Sequence, residues 1–126
     1  MKKKIITSTK VPAAIGPYSH AVEVNGFLFA SGQLGIDPTT SDFVEGGIKE
    51  QTEQALKNVS NLLADAGYYM DNVVKTTVFL ADMAMFAEMN EVYAKYFKFD
   101  FPARSAVAVK TLPKGGLVEI EVIASK

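Results

Sequence analysis

Two helical stripes of apolar residues stand out along the chain. The clearer one spans Ile48 to Ala66, where apolar side chains recur every three or four positions, as they do on one face of an amphipathic helix. Gly67 follows it and predicts a left-handed helix end. A second helix is predicted from about Met83 to Phe97, with Asp82 as a side-chain cap. The stripe of the second helix consists of Phe86, Met89, Tyr93 and Phe97.

Short runs of β-branched and aromatic residues predict the strands around these helices. The first four are Lys4–Thr7, Tyr18–Val24, Phe27–Ser31 and Val73–Leu80. Asn25-Gly26 separates the second strand from the third and favours the tight turn of a β-hairpin. The glycine- and proline-containing segment from Gly32 to Gly47 is predicted as a loop.

The C-terminal segment Phe101–Glu121 is predicted as a β-hairpin, with a turn at Leu112–Gly116 and a second strand at Leu117–Ala124. Side chains alternate between the two faces of a strand. If the valine-bearing faces of both strands pack on the same helices, Arg104 and Glu119 share the opposite face. Such a pair can be a salt bridge, or it can be a carboxylate-binding group beside a proton-transfer group. The alternation alone leaves both interpretations open.

The order of elements predicts an α+β fold. Five to six strands would form a mixed sheet with two long helices on one face, as a two-layer sandwich. With no internal repeat or linker, residues 1–126 are expected to form a single domain. The uncovered sheet face is weakly polar, since Ala106, Ala108 and Ile123 are placed there. A small domain usually covers such a face with another subunit.

Charge and composition narrow the chemistry. The formal net charge is −1 and the pI is about 5.8, so general electrostatic binding of nucleic acid is disfavoured. The absence of cysteine excludes thiolate nucleophiles, disulfides and cysteine-bound metals, and fits a cytoplasmic protein. Neither a signal peptide nor a membrane span is expected. His20 is the only histidine, which disfavours a metal site or a Ser-His-Asp triad. No metal and no cofactor are predicted.

Several residues have an ordinary role and a functional one. An arginine such as Arg104 most often makes a surface ion pair, but its planar fork also suits a small carboxylate. Glu119 is either a cross-strand partner of a lysine or a carboxylate that activates water. Tyr18 follows a rigid Gly-Pro turn and is, taken alone, more typical of a core residue. Phe86 and Asn90 lie one helical turn apart, so one helix face can present both.

Six short motifs occur in a fixed order along the whole chain. They are Ala14-Ile15-Gly16-Pro17-Tyr18, Ala30-Ser31-Gly32-Gln33, Lys75-Thr76-Thr77-Val78-Phe79 with Phe86 and Asn90, Pro102-Ala103-Arg104-Ser105, Leu112-Pro113-Lys114 and Val118-Glu119-Ile120-Glu121. Together they resemble the motifs of the RidA/YjgF family of enamine/imine deaminases. The sequence departs from common members in having Ala106 where many have cysteine, and a short link at residues 97–101.

This resemblance implies a chorismate-mutase-like fold and a homotrimer with its sites between subunits. It implies hydrolytic deamination of 2-iminobutanoate and 2-iminopropanoate to 2-oxo acids and ammonia, without a cofactor. By resemblance, Arg104 binds the substrate carboxylate and Glu119 holds the attacking water. The residues that would contact substrate are Tyr18, Ser31, Gly32, Phe86, Asn90 and Ala106. The alternative is a non-catalytic, ligand-sensing protein that binds small oxo acids in the same cleft.

Overall fold

The computed structural model describes residues 2–126, and Met1 lies outside the described residues. Two α-helices lie against one face of a six-stranded sheet, which confirms the predicted α+β architecture. The helices are α1 (Ile48–Asp65) and α2 (Phe86–Ala94). The strands are β1 (Lys4–Ile6), β2 (Ala21–Val24), β3 (Phe27–Leu34), β4 (Ile36–Asp37), β5 (Asp42–Phe43), β6 (Val73–Leu80), β7 (Ala103–Ala108) and β8 (Val118–Ser125).

The main sheet has the strand order β1-β2-β3-β8-β6-β7. All neighbouring strands are antiparallel except β6 and β7, which run parallel. Because parallel strands cannot be joined by a tight turn, α2 forms the crossover between β6 and β7. Strand β8 is inserted between β3 and β6, and β7 becomes an edge of the sheet.

The predicted C-terminal hairpin is therefore wrong. Strands β7 and β8 are consecutive in sequence but are not neighbours, since β6 lies between them. The segment expected to form the turn contains a 3-10 turn at Pro113–Gly115, after which β8 enters the middle of the sheet. The signal for this arrangement is the strand–helix–strand order from Val73 to Ala108, which is typical of a β-α-β unit.

The core lies between α1, α2 and the inner face of the sheet. Helix α1 contributes the predicted stripe, and β8 contributes alternate residues; the fully buried members include Leu56, Leu62, Leu63, Val118 and Ile120. The buried side-chain amide of Asn58 also bonds to the sheet. Its Nδ2 donates hydrogen bonds to the carbonyl oxygens of Leu34 and Ile36 at 3.1 and 2.9 Å. These hydrogen bonds hold α1 against the end of β3, the strand that carries part of the candidate site.

The local predictions agree with the structure in most places. Gly67 has φ of +84° directly after α1, and Asp82 accepts a hydrogen bond from the Ala84 amide, as expected of a cap. Asn25 and Gly26 both have positive φ in the turn between β2 and β3. The second helix is shorter than predicted, with a 3-10 turn before Phe86. The predicted loop after Ser31 instead contains the end of β3 and the small β4–β5 hairpin.

The second face of the sheet has no helix over it and is largely apolar. Ile5, Phe27, Phe29 and Val107 on this face are between 43% and 50% exposed. Ile123 lies here as predicted, but Ala106 and Ala108 do not. They are paired with the buried Val78 and Leu80, so their side chains point to the helix side. No helix within residues 2–126 is both long and apolar enough to cross a membrane.

Candidate active site

Arg104 lies on β7 and faces helix α2. Its Nη1 donates to Asn90 Oδ1 at 2.7 Å. The guanidinium carbon lies 5.3 Å from the ring centroid of Phe86 and 4.7 Å from that of Tyr93, which are cation–π distances. Within residues 2–126, Arg104 forms no ion pair. Its charge is thus oriented by neutral groups and is available to an anion.

Glu119 lies in a separate place, at a cleft of about 530 Å³. Tyr18, Ser31, Gly32 and Lys114 also line this cleft. Tyr18 is 52% exposed, so it is a cleft wall rather than a core residue. The structure therefore brings together four of the predicted site residues: Tyr18, Ser31, Gly32 and Glu119.

A bulge in β3 shapes the cleft beside Glu119. The pairing of β3 with β8 shifts register between Ala30 and Gln33, which leaves Ser31 and Gly32 outside the regular ladder. A Cβ atom on Gly32 would lie 2.9 Å from both Cγ and Cδ of Glu119. Because a real Cβ does not approach so closely, only glycine leaves room for the carboxylate to rest against the β3 backbone.

The hydroxyl of Ser31 is already engaged within the chain. It donates to the carbonyl oxygen of Ser19 at 2.6 Å, and the Ser31 amide donates to the carbonyl oxygen of His20 at 2.9 Å. The Ser31 hydroxyl can therefore contact a ligand only by accepting a hydrogen bond. Ser31 also fixes the start of β2 against the bulge.

Burial raises the pKa of Glu119, and the neighbouring Glu121 carboxylate raises it further. Both residues project from the same face of β8, two positions apart. A carboxylate with a raised pKa is a stronger base than an exposed glutamate, so this environment favours proton transfer from water.

The prediction that Arg104 and Glu119 share a face is wrong within one chain. Arg104 pairs with the fully buried Thr76 and faces α2, whereas Glu119 pairs with Phe79 on the uncovered face. The valines of β7 and β8 do not pack on the same helices, because Val107 of β7 is on the uncovered face. Ala106 lies on the same side of β7 as Arg104. The predicted site residues thus form two groups on opposite faces of the sheet.

We call the first group the arginine half-site (Phe86, Asn90, Arg104 and Ala106) and the second the glutamate half-site (Tyr18, Ser31, Gly32 and Glu119). Each of the two half-sites includes one of the two charged residues singled out from the sequence.

His20 has a structural role. Its Nδ1 accepts a hydrogen bond from the Ser8 amide at 3.1 Å, and Nε2 lies 2.9 Å from the carbonyl oxygen of Pro12, to which it donates. Both ring nitrogens are used, which describes the neutral Nε2–H form. His20 thereby ties the segment before β2 to the cleft wall. Among residues 2–126, no group of three or more His, Asp or Glu side chains is arranged to hold a metal ion.

Comparison with known proteins places this arrangement in a family. The family profile described as endoribonuclease L-PSP matches residues 8–126. The chain belongs to the endoribonuclease L-PSP family. This membership and the similarities below confirm the RidA/YjgF resemblance seen in the motifs.

Relatives of this L-PSP chain match over nearly its whole length. A Mus musculus protein named 2-iminobutanoate/2-iminopropanoate deaminase is 52% identical over 122 residues, which is 97% of this chain and 90% of the mouse protein. A Yersinia pestis structure assigned to the conserved Rid protein family is 51% identical, with a TM-score of 0.96 and coverage of 99% of this chain and 100% of that chain. The structure of E. coli TdcF with bound serine is 37% identical, with a TM-score of 0.93 and coverage of 98% of both chains.

Tyr93 lies against Arg104 in the candidate site of this L-PSP chain, and the sequence patterns did not single it out. The helical spacing places it in the apolar stripe of the second helix, and it is indeed 3% exposed. Its spacing held a signal, since Tyr93 follows Asn90 by three positions and therefore shares a helix face with it. A tyrosine at that position can contact whatever Asn90 contacts, and here both contact Arg104.

Proposed function

We propose that this protein is an imine hydrolase that converts 2-iminobutanoate and 2-iminopropanoate to the corresponding 2-oxo acids and ammonia. The observation that carries the proposal is Glu119, a carboxylate of raised pKa lying beside a backbone bulge at a cleft. The names of the mammalian relatives, at 50–53% identity, support this substrate class. In the cell, the reaction would remove reactive enamines and imines released by pyridoxal-phosphate enzymes, and we propose that it does so in the cytoplasm.

The proposed mechanism uses one guanidinium and one carboxylate. Arg104 binds the substrate carboxylate through its free N–H groups and fixes the orientation of the imine carbon. Glu119 accepts a proton from water while the water oxygen bonds to that carbon. With the imine nitrogen already protonated, this addition gives an amino alcohol. Glu119 returns its proton to that nitrogen, the carbon–nitrogen bond breaks and ammonia leaves. The hydroxyl group then passes its proton to the Glu119 carboxylate, which leaves the 2-oxo acid. Imines hydrolyse unaided in water, so orientation and one base supply the modest acceleration needed.

The remaining predicted site residues surround the substrate in this proposal. Backbone at Ser31, Gly32 and Ala106 contacts the imine end, while Tyr18 and Phe86 form the walls. Asn90 contacts Arg104 directly, so we assign it the role of orienting the guanidinium. No cofactor or metal is part of the proposed reaction.

A complete site in this proposal requires more than one copy of the chain. Arg104 and Glu119 project from opposite faces of one sheet, so the arginine half-site of one subunit would meet the glutamate half-site of its neighbour. The uncovered sheet face, with its half-exposed phenylalanines and valine, is the surface we propose to be buried in a homotrimer. Residues 1–126 act as one domain in this assembly.

Mixing two inactive variants tests the shared site. Arg104→Ala removes the arginine half-site, and Glu119→Gln removes the glutamate half-site. In every trimer that contains both variants, one of the three sites receives an unmodified half from each neighbour, so purified mixed trimers are expected to regain about a third of the wild-type specific activity. Tagged purification of mixed trimers followed by an activity assay measures this. Activity that stays at the level of the separate variants would contradict a site shared between subunits.

The reaction itself is tested by a coupled assay. Threonine dehydratase generates 2-iminobutanoate, and semicarbazide competes for the free imine. The wild-type protein is expected to suppress semicarbazone formation in proportion to its concentration. Absence of suppression with both 2-iminobutanoate and 2-iminopropanoate would overturn the proposed function.

A second candidate is a non-catalytic sensor of small carboxylic acids. The serine bound to E. coli TdcF favours this candidate, because that relative is described with an amino acid rather than an imine. A sensor would bind 2-oxobutanoate without turning over any imine. The net charge of −1 gives little attraction for phosphates, so we do not propose RNA cleavage from the family description.

A further inference from the structure

The orientation of Arg104 depends on a chain of contacts that none of the predicted roles includes. The Tyr93 ring lies 4.7 Å from the guanidinium carbon and is closer to it than the Phe86 ring. Asn90 holds only one side of the guanidinium, through Nη1. The ring of Tyr93 is therefore a second restraint, which acts through the face of the aromatic ring rather than through a hydrogen bond.

Tyr93 is itself fixed from two directions. Its hydroxyl lies 2.8 Å from Thr76 Oγ1, and its ring centroid lies 4.8 Å from that of Phe97. Tyr93 is 3% exposed and Thr76 is fully buried, so this hydroxyl pair is shielded from water. Burial raises the pKa of Tyr93, which keeps the phenol protonated and able to share a hydrogen bond with Thr76.

Strand pairing connects the anchor of Tyr93 back to Arg104. Thr76 on β6 is the residue paired with Arg104 on β7 in the parallel ladder. The backbone thus links Arg104 to Thr76, the hydroxyl pair links Thr76 to Tyr93, and the ring returns to the Arg104 guanidinium. Together these three contacts restrain the position of the Arg104 guanidinium relative to the edge strand β7.

We propose that Tyr93, anchored by Thr76, is a positioning residue for carboxylate recognition by Arg104. This inference rests on the proposed function for the identity of the carboxylate, a 2-imino or 2-oxo acid. Tyr93 acts through Arg104 and does not touch the reacting atoms. Its replacement therefore weakens carboxylate binding and leaves the chemical step at Glu119 nearly unchanged.

The test compares Tyr93→Leu and Tyr93→Phe with a matched control, Tyr68→Leu. Tyr68 is also a fully buried tyrosine, with its hydroxyl bonded to Glu23 and a lysine 4.6 Å from its ring, but it lies outside both half-sites. KM is measured in the imine assay, and the dissociation constant of 2-oxobutanoate is measured by calorimetry. Butanone, which lacks the carboxylate, serves as the second ligand.

Tyr93→Leu is expected to raise both KM and the 2-oxobutanoate dissociation constant about tenfold, with kcat changed much less. Tyr93→Phe keeps the ring, and its effect is expected to be smaller but in the same direction. Tyr68→Leu should lower the unfolding temperature without changing either constant. Butanone binding should not distinguish the variants from wild type.

Equal constants for Tyr93→Leu and Tyr68→Leu would overturn the inference. If Tyr93→Leu does not fold, Tyr93→Phe becomes the test variant. A dissociation constant for 2-oxobutanoate that is unchanged in Tyr93→Phe would then overturn the inference. The calorimetric result is independent of turnover. A wild-type protein that binds 2-oxobutanoate but hydrolyses no imine would overturn the proposed function while leaving the role of Tyr93 measurable.

Discussion

Arg104→Ala is expected to lower kcat/KM for 2-iminobutanoate by about 10²–10³-fold, because a paired, charge-assisted contact with the substrate carboxylate is lost. Arg104 has no ion-pair partner within residues 2–126, so the substitution leaves no carboxylate of that region without a partner. Stability should accordingly change little, apart from the lost packing against the rings of Phe86 and Tyr93. The coupled imine assay and thermal unfolding measure the two effects separately.

Arg104→Lys is the matched control for charge. It keeps the positive charge but loses the planar fork, so we expect most of the activity to be lost although long-range attraction is retained. A lysine variant with wild-type kcat/KM would show that charge alone suffices and that the fork geometry has no role. An alanine variant that retains activity would remove Arg104 from the mechanism altogether.

Glu119→Gln is expected to reduce kcat by about 10²–10⁴-fold, the usual contribution of a general base, while KM changes only a few-fold. Glutamine retains the shape and the position against Gly32 but cannot accept a proton from water. Steady-state kinetics with 2-iminobutanoate, together with calorimetric binding of 2-oxobutanoate, measures this separation. Loss of binding equal to the loss of activity would mean that Glu119 holds the ligand rather than activating water.

The pH dependence provides an independent measurement on the same residue. Glu119 must be deprotonated to act as a base, so activity should fall as the pH decreases through its raised pKa. The acidic limb of kcat/KM is therefore expected above 4.5, the ordinary pKa of a glutamate side chain. Glu121→Gln removes the second cause of the shift and should move this limb to lower pH. A limb unaffected by Glu121→Gln would contradict the electrostatic contribution of Glu121.

The same shift has a consequence for folding stability with a defined sign. Since the folded-state pKa of Glu119 is raised above its unfolded value, the folded state binds more protons between the two values, and stability falls as the pH rises through this window. At neutral pH the charged Glu119 thus opposes folding. Glu119→Gln removes that charge and should leave the unfolding temperature unchanged or higher, so its loss of activity cannot be attributed to unfolding.

Local sequence patterns were sufficient for the elements that local physics determines. The stripe of α1 recurs at helical spacing, and the β-branched run from Val73 to Leu80 forms β6 with the predicted bounds. Asp82 caps a helical turn two residues away, and Asn25-Gly26 forms the turn between two adjacent strands. Each of these features depends on contacts that are close in sequence.

The same local patterns do not determine which strands pair with each other. The alternation in β7 identifies two faces but does not determine which face meets α2, which is why the predicted placement of Arg104 on the side of Glu119 is wrong. The outcome depends on β7 pairing with β6, which is about 30 residues earlier. The motif resemblance identified Arg104 and Glu119 as site residues, and the structure adds that they cannot meet within one chain.

Under the proposed assembly, the position of these two residues on opposite faces of one sheet would also make activity depend on the concentration of chains. Under the proposed assembly, a lone chain has two incomplete halves and no complete catalytic centre. Specific activity should then fall steeply on dilution below the dissociation constant of the oligomer and return on concentration. A newly made chain would have no activity until it assembled with other copies. Total activity would therefore rise more steeply than in proportion to the concentration of chains.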